Sequence, residues 1–235
     1  MAIDVIEKNL IQIRKTIVPY KPKIVAVTKY YDVSAIEEAY KVGLRDFGEA
    51  RINDAIKKID SLNEEIRENS NFHFIGHLQT NKVDKVVKYF DYIQSVDSLH
   101  LAEAVSKSAQ KQGKTQKILL QVNISGEVQK FGFEERELEI EFEKIKSLQN
   151  IEIEGLMCMA PLGAEESVLD DVFSRARELR DELNKKFDMN MTELSMGMSN
   201  DYMYAVRNGT TMIRIGRLLF NLWIILEERW HLERK

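Results

Sequence analysis

Lys29 is the residue whose type and position most directly suggest chemistry. It follows the segment Ile24–Thr28, which is β-branched at four of five positions, a pattern typical of a strand buried on both faces. In α/β barrels, active sites lie at the carboxyl ends of such strands. A lysine amine placed there can, in its neutral form, attack a carbonyl carbon and form a Schiff base. The alternative is a lysine that buries only its aliphatic stem and extends its ammonium into water.

Two later segments suggest a phosphate site. The first, SMGMSND, covers 195–201 and places Ser195, Gly197 and Ser199 where a backbone could approach a ligand closely. The second, RIGR, covers 214–217 and contains Gly216. In (β/α)₈ barrels the loops after the last two strands often receive a phosphate on backbone N–H groups. Each segment could equally be an ordinary turn rich in small residues.

Arg214 is a third candidate because strand alternation puts it on one face with Met212 and Gly216. If that face points into a barrel, the guanidinium is buried and needs a partner. The partner would be a ligand or an internal carboxylate such as Glu49 or Glu154.

Other residue types exclude several classes of protein. His73 and His77 lie too far apart along one strand to bind a single metal ion, and Cys158 reads as an inert core thiol. The net charge of −4 and the lack of a basic stripe argue against nucleic acid. The charged N-terminal segment is not a secretory signal, and the longest apolar run is too short to cross a bilayer. We therefore expect a cytoplasmic protein without nucleic-acid or membrane partners.

The pattern along the chain predicts how these residues are positioned. After an opening helix at 2–18, eight apolar runs alternate with helical segments, which favours a parallel sheet. The predicted strands are Lys23–Lys29, Asp46–Glu49, Asn71–His77, Tyr92–Val96, Lys117–Asn123, Ile151–Met159, Glu193–Gly197 and Thr211–Gly216. The predicted helices are Ser34–Val42, Ile52–Ile59, Lys82–Tyr89, Leu99–Gln112, Glu135–Leu148, Val168–Phe187, Tyr202–Arg207 and the segment after Arg217.

Eight such units predict one α/β domain over 1–235, a (β/α)₈ TIM barrel with an extra N-terminal helix. An open, doubly wound sheet is the alternative. In the barrel, Lys29 shares a face with Val25 and Val27 and would reach the mouth. Ser34 and Ser98 stand where helix N-caps belong.

Six motifs carry a family resemblance and occur in the family's order: AVTK, FGEAR, HFIGHLQTNK, GLMCM, SMGMSND and IRIG. On these the chain resembles the YggS/PROSC family of pyridoxal-phosphate homeostasis proteins. The resemblance implies a barrel like the N-terminal domain of alanine racemase, without that enzyme's second, β-rich domain.

The resemblance also implies residue roles. Lys29 would hold pyridoxal 5′-phosphate as a Schiff base, the internal aldimine. The phosphate would rest on Ser195, Gly197, Met198, Ser199 and Gly216. Arg214 would face the pyridine nitrogen, and since an arginine does not readily give up a proton, the ring would be a poor electron sink.

The chain departs from the family's usual motifs at a few positions. They are Ala50 for an asparagine, Asn53 and Asp54 for glutamine and glutamate, Arg217 for a small hydroxyl residue, Asn221 for a glycine, and the tail 222–235. Ala50 removes an amide that could touch the cofactor, whereas Arg217 could still face the phosphate.

The resemblance implies a non-catalytic protein of intracellular vitamin B6 homeostasis that holds the cofactor with little or no turnover. Its partners would be the cofactor and apo forms of pyridoxal-phosphate enzymes, and we expect a monomer. The alternative is a racemase or decarboxylase, which needs a second acid or base across the ring from Lys29. The nearby side chains that could serve are Tyr30, Tyr31 and His77.

Overall fold

The strands form a closed barrel of eight parallel strands in chain order. The computed structural model describes residues 3–127 and 130–221. The strands are β1 Lys23–Val27, β2 Asp46–Glu49, β3 Asn71–Phe74, β4 Tyr92–Val96, β5 Gln116–Gln121, β6 Ile151–Met157, β7 Glu193–Met198 and β8 Met212–Ile215. Since β1 pairs with both β2 and β8, the predicted barrel is confirmed and the open sheet is wrong.

Helices surround this barrel. They are α1 Ile3–Thr16, α2 Val33–Lys41, α3 Ile52–Ser61, α4 Glu64–Glu68, α5 Val83–Tyr89, α6 Leu99–Lys111, α7 Glu135–Lys146, α8 Glu166–Phe187, α9 Tyr202–Arg207 and α10 Arg217–Phe220. The extra N-terminal helix is confirmed as α1. The sequence pattern did not predict α4, because one turn is too short to show a period; the Asn63 side chain caps it by accepting from Ile66 N. None of the helices within the described ranges is long and apolar enough to span a bilayer.

The first strand ends earlier than the sequence predicts, and this affects Lys29. The strand ends at Val27, two residues before the predicted end, and Tyr31 N donates to Thr28 O at 2.9 Å in the turn that follows. Lys29 therefore lies in a turn and not in β1. The next helix also starts earlier than predicted, because Asp32 is its N-cap and accepts from Ser34 N at 3.0 Å. The prediction for Ser34 is wrong, and that for Ser98 is confirmed by its bond from Leu101 N.

Apolar side chains fill both sides of the sheet, as expected for parallel strands covered by helices. Inside the barrel, a small cluster contains Val25, Tyr92, Leu119, Met157 and Met212. Outside, a larger core lies between the strands and the helices. Two-sided burial explains the nearly unbroken apolar sequence of β1.

Helix α1 braces the segment that follows β8. The buried side chain of Asn9 donates to Leu219 O at 3.0 Å and to Asn221 O at 3.3 Å. The contact at Asn221 uses a backbone carbonyl, so the asparagine side chain at this departure from the family motif is not required for it. The unusual tail, 222–235, lies outside the described residues.

Candidate functional site

A cavity of about 360 Å³ opens at the carboxyl end of the barrel. Five of the residues that the sequence singled out line it: Lys29, Met198, Ser199, Arg214 and Gly216. Arg217, the departure after the RIG motif, also lines it. Ser195 and Gly197 are not part of the lining. The volume is within the range of small-molecule sites, roughly 300–1,000 Å³.

Lys29 is half-buried at one side of this cavity. Its Nζ lies 5.1 Å from the centre of the Tyr30 ring, and it forms no ion pair with any described carboxylate. Arg51 approaches the same ring at 5.2 Å. An amine that touches a ring and no carboxylate is free to meet an electrophile in the cavity.

A buried cation on α3 holds the turn that carries Lys29. Lys58 Nζ donates to Thr28 O at 2.9 Å, to Tyr31 O at 3.2 Å and to Glu49 Oε1. Thr28 Oγ1 donates to the same carboxylate oxygen at 2.6 Å. Glu49 is fully buried, so its charge is compensated locally by Lys58.

Sequence reasoning missed Lys58, although one signal could have found it. Ala55, Lys58 and Ile59 lie on the buried face of α3 at helical spacing, so the lysine interrupts an apolar stripe. A cation on such a face needs an acidic partner.

Replacing Lys58 by methionine should destabilise the protein by about 3–5 kcal/mol, since it leaves the buried Glu49 carboxylate unpaired. Urea unfolding of the protein would measure the loss. The control is Lys57→Met, which makes the same change at the exposed neighbouring position and should alter the stability little. Equal unfolding free energies for the two variants would show that the buried pair contributes nothing.

Gly197 shapes the loop after β7. Its φ is +88°, and a Cβ atom there would lie 2.7 Å from Ala205 Cβ and 2.8 Å from Tyr202 Cα. A hydrogen bond from Met198 N to an Asp201 carboxylate oxygen, 2.5 Å long, stabilises the loop directly after this glycine. The glycine is required by the close approach of α9, not by the cavity.

The cavity presents several unpaired backbone donors. Within the described residues, the backbone N–H groups of Asn200, Gly216 and Arg217 have no hydrogen-bond acceptor. The two loops that carry them are joined, because Leu218 N donates to Ser199 Oγ at 3.3 Å. Backbone donors that converge in this way, with an exposed guanidinium on Arg217, suit an anion such as a phosphate.

Arg214 points into the barrel beneath these loops and is almost fully buried. One terminal nitrogen donates to Ser195 O at 2.6 Å and to Ser195 Oγ at 2.7 Å. The other donates to Cys158 O at 2.9 Å. Burial lowers the pKa of Arg214 and raises the pKa of the Cys158 thiol to about 12, so the thiol stays neutral.

Of the two alternatives for Arg214, an internal ion pair with Glu49 or Glu154 is wrong. Glu49 pairs with Lys58, and Glu154 pairs with Lys117 at 3.0 Å. Arg214 therefore brings a positive charge to the cavity while its partners are neutral oxygens.

The remaining candidates lie elsewhere. His73 is inside the barrel, whereas His77 pairs with Asp97 at 3.3 Å and stacks on Phe131. No group of potential ligands in the described part of the chain could hold a metal ion. Ala50 packs against Gly76, because a Cβ atom added to Gly76 would lie 2.5 Å from Ala50 O. Ala50 does not line the cavity.

The barrel and the chemistry of its mouth define a class of protein. Residues 2–222 match the family described as "Alanine racemase, N-terminal domain". Alanine racemase from Clostridium difficile 630 has the same fold, with a TM-score of 0.74 over 92% of this chain and 56% of that one, at 15% identity.

Closer relatives narrow the class. The chain is 40% identical over 202 residues to the pyridoxal phosphate homeostasis protein of Synechocystis sp., covering 86% of this chain and 92% of that protein. It superposes on PipY of Synechococcus elongatus PCC7942, solved with PLP bound, with a TM-score of 0.84 and 37% identity, covering 92% of this chain and 100% of that one. The chain belongs to the pyridoxal phosphate homeostasis protein family, which confirms the family resemblance found in the sequence.

Proposed function

We propose that this protein binds pyridoxal 5′-phosphate for intracellular cofactor homeostasis, with little or no turnover of its own. The observation that carries the proposal is the mouth of the barrel. There the Lys29 amine, which has no ion-pair partner among the described residues, lies near backbone N–H groups that those residues leave unpaired and near a buried arginine. The curated relatives named for pyridoxal phosphate homeostasis and the PLP-bound structure of PipY support it.

Each end of the cofactor has a matching group in the cavity. The cofactor supplies an aldehyde carbon, and Lys29 is the primary amine that would bind it covalently, releasing water. Met198, Ser199 and Gly216 lie on the loops that would hold the phosphate, where the unpaired N–H groups are the donors. Gly197 acts by shaping this loop, and Ser195 acts through Arg214, because neither lines the cavity.

Arg214 would face the pyridine nitrogen. A guanidinium donates hydrogen bonds and does not readily give up a proton, so the ring nitrogen stays unprotonated. An unprotonated ring withdraws electrons weakly, which suits a protein that holds the cofactor more than one that uses it for carbanion chemistry.

The acceptors in this role are apo forms of pyridoxal-phosphate enzymes, and the protein works as a monomer in the cytoplasm. Support for the compartment is indirect: the chain has one cysteine, Cys158, which fits a reducing environment.

No observation favours the alternative of a racemase or decarboxylase. Such an enzyme needs a second acid or base held near the reacting carbon. The Asp201 carboxylate accepts from Met198 N, and burial raises the pKa of Tyr31, so its phenol keeps its proton at neutral pH. His77 is paired with Asp97 and does not line the cavity.

Incubating the cofactor-loaded protein with L-alanine in deuterated water tests the absence of turnover. We expect α-carbon exchange no faster than with free pyridoxal 5′-phosphate, because a missing acid or base typically costs about 10²–10⁴ in rate. NMR of the recovered alanine measures the exchange, and Lys29→Ala is the control. Rapid exchange that disappears in Lys29→Ala would make the protein an enzyme.

A further inference from the structure

A row of hydrogen-bonded side chains crosses the barrel beneath the cavity. Arg214 donates to Ser195 Oγ at 2.7 Å, and Ser195 Oγ donates to Gln94 Oε1 at 2.6 Å. Gln94 Nε2 lies 2.9 Å from His73 Nδ1, and His73 Nε2 lies 3.0 Å from an Asp46 carboxylate oxygen. We call these five side chains the interior chain. Apart from Asp46, they are at most 4% exposed.

The donors of the interior chain all point the same way. A guanidinium only donates, and Ser195 has a single O–H, which is given to the Gln94 carbonyl oxygen. The Gln94 amide nitrogen is then the donor towards His73, and its distance of 3.7 Å from Met212 Sδ agrees with this orientation. His73 Nδ1 must accept, so the ring proton is on Nε2 and is donated to Asp46.

The Asp46 end of this row is fixed. Asp46 also accepts from Asn71 Nδ2 at 3.1 Å, so the carboxylate at the far end is an acceptor twice over. The His73 ring stacks on Tyr92 with a centroid distance of 4.5 Å and an interplanar angle of 7°. With that ring immobilised, the amide of Gln94 has one orientation that satisfies both of its neighbours.

We infer that Gln94 and His73 are positioning residues, which hold Arg214 in place for the ligand from inside the barrel. Within the described residues Arg214 has no carboxylate partner, so its direction is fixed by oxygens of Ser195 in β7 and of Cys158, directly after β6. One of these, the Ser195 hydroxyl, is itself oriented by Gln94. That Arg214 in turn faces pyridoxal 5′-phosphate rests on the proposed function.

The first test uses the protein without cofactor and reads the histidine directly. In ¹⁵N NMR spectra, with the His73 signals assigned by their loss in His73→Asn, we expect a neutral ring protonated on Nε2. In Gln94→Glu, a carboxylate oxygen would face Nδ1 and should draw a proton onto it, so both nitrogens become protonated. A wild-type His73 protonated on Nδ1, or an identical state in Gln94→Glu, would overturn the interior chain.

The second test measures the effect of Gln94 on Arg214 through the affinity and the absorbance of the bound cofactor. Gln94→Leu removes the acceptor of Ser195 and should weaken binding of pyridoxal 5′-phosphate by roughly threefold to tenfold, the range for losing one hydrogen bond between neutral groups. The absorbance maximum of the bound cofactor should also shift. Gln94→Glu keeps an acceptor for Ser195, so its affinity should stay within a few-fold of the wild type.

The matched control is Gln116→Leu, the same change at another fully buried glutamine, which donates to Asp91 O and Lys117 O and not to the interior chain. Equal affinity and absorbance in Gln94→Leu and Gln116→Leu would overturn the positioning role. Failure of the wild type itself to bind the cofactor would instead overturn the proposed function, while the NMR test would still decide the interior chain.

Discussion

Replacing Lys29 by alanine should abolish covalent attachment of pyridoxal 5′-phosphate. Lys29 is the lysine that lines the cavity, and the described carboxylates leave it unpaired, so its amine is the group that can meet the aldehyde. Borohydride reduction of the loaded wild type, followed by peptide mass mapping, should find the pyridoxyl group on Lys29. In Lys29→Ala the reduced protein should carry no label. The loops proposed to hold the phosphate are unchanged in this variant, so it should still bind the cofactor reversibly.

Lys82→Ala is the control, because Lys82 follows β3 at the same end of the barrel but does not line the cavity. It should keep both the label and the absorbance of the linkage. A label found on Lys82 or on Lys23 in the wild type would contradict the assignment of Lys29. Lys23 lies 3.8 Å from a Glu193 carboxylate oxygen, at the opposite end of β1.

The sequence was sufficient to predict the barrel and to place Arg214 on the same face of β8 as Met212. Runs of β-branched residues reveal strands, and their period of two places Arg214 inside once Met212 is known to be in the core. The positions of local turns could not be predicted as well. The end of β1 is set by the bond from Tyr31 N to Thr28 O, and no residue type in that segment requires it.

Partners across the barrel could not be predicted from one sequence. Ser195 and Gln94 are separated by 101 positions, and they meet only because β4 and β7 both contribute side chains to the interior. Lys58 meets Glu49 in the same way, through the packing of α3 on β2. Such pairs depend on the closure of the barrel, which the residue pattern predicts only in outline.

The sequence analysis singled out Gly197, but the structure gives a different physical reason for a glycine at this position. The sequence suggested that its missing side chain lets the backbone approach a ligand. In the structure the space is taken by α9, and the nearest atoms to a Cβ at this position belong to Ala205 and Tyr202. Gly197 therefore affects the cavity only indirectly, by setting the conformation of the loop that contains Met198 and Ser199.

Replacing Gly197 by alanine should weaken cofactor binding more than tenfold and lower the stability. A residue other than glycine at φ +88° costs roughly 1–2 kcal/mol, and the new Cβ would overlap the Tyr202 backbone, so α9 and the loop must separate. Gly209→Ala is the control: its φ of +86° imposes the same backbone cost, but its Cβ would meet only the Arg177 side chain, at 3.3 Å. Titration with pyridoxal 5′-phosphate, below the unfolding temperature of both variants, separates affinity from stability. If the two variants bind equally well, backbone strain alone accounts for Gly197, and the phosphate does not depend on the shape of this loop.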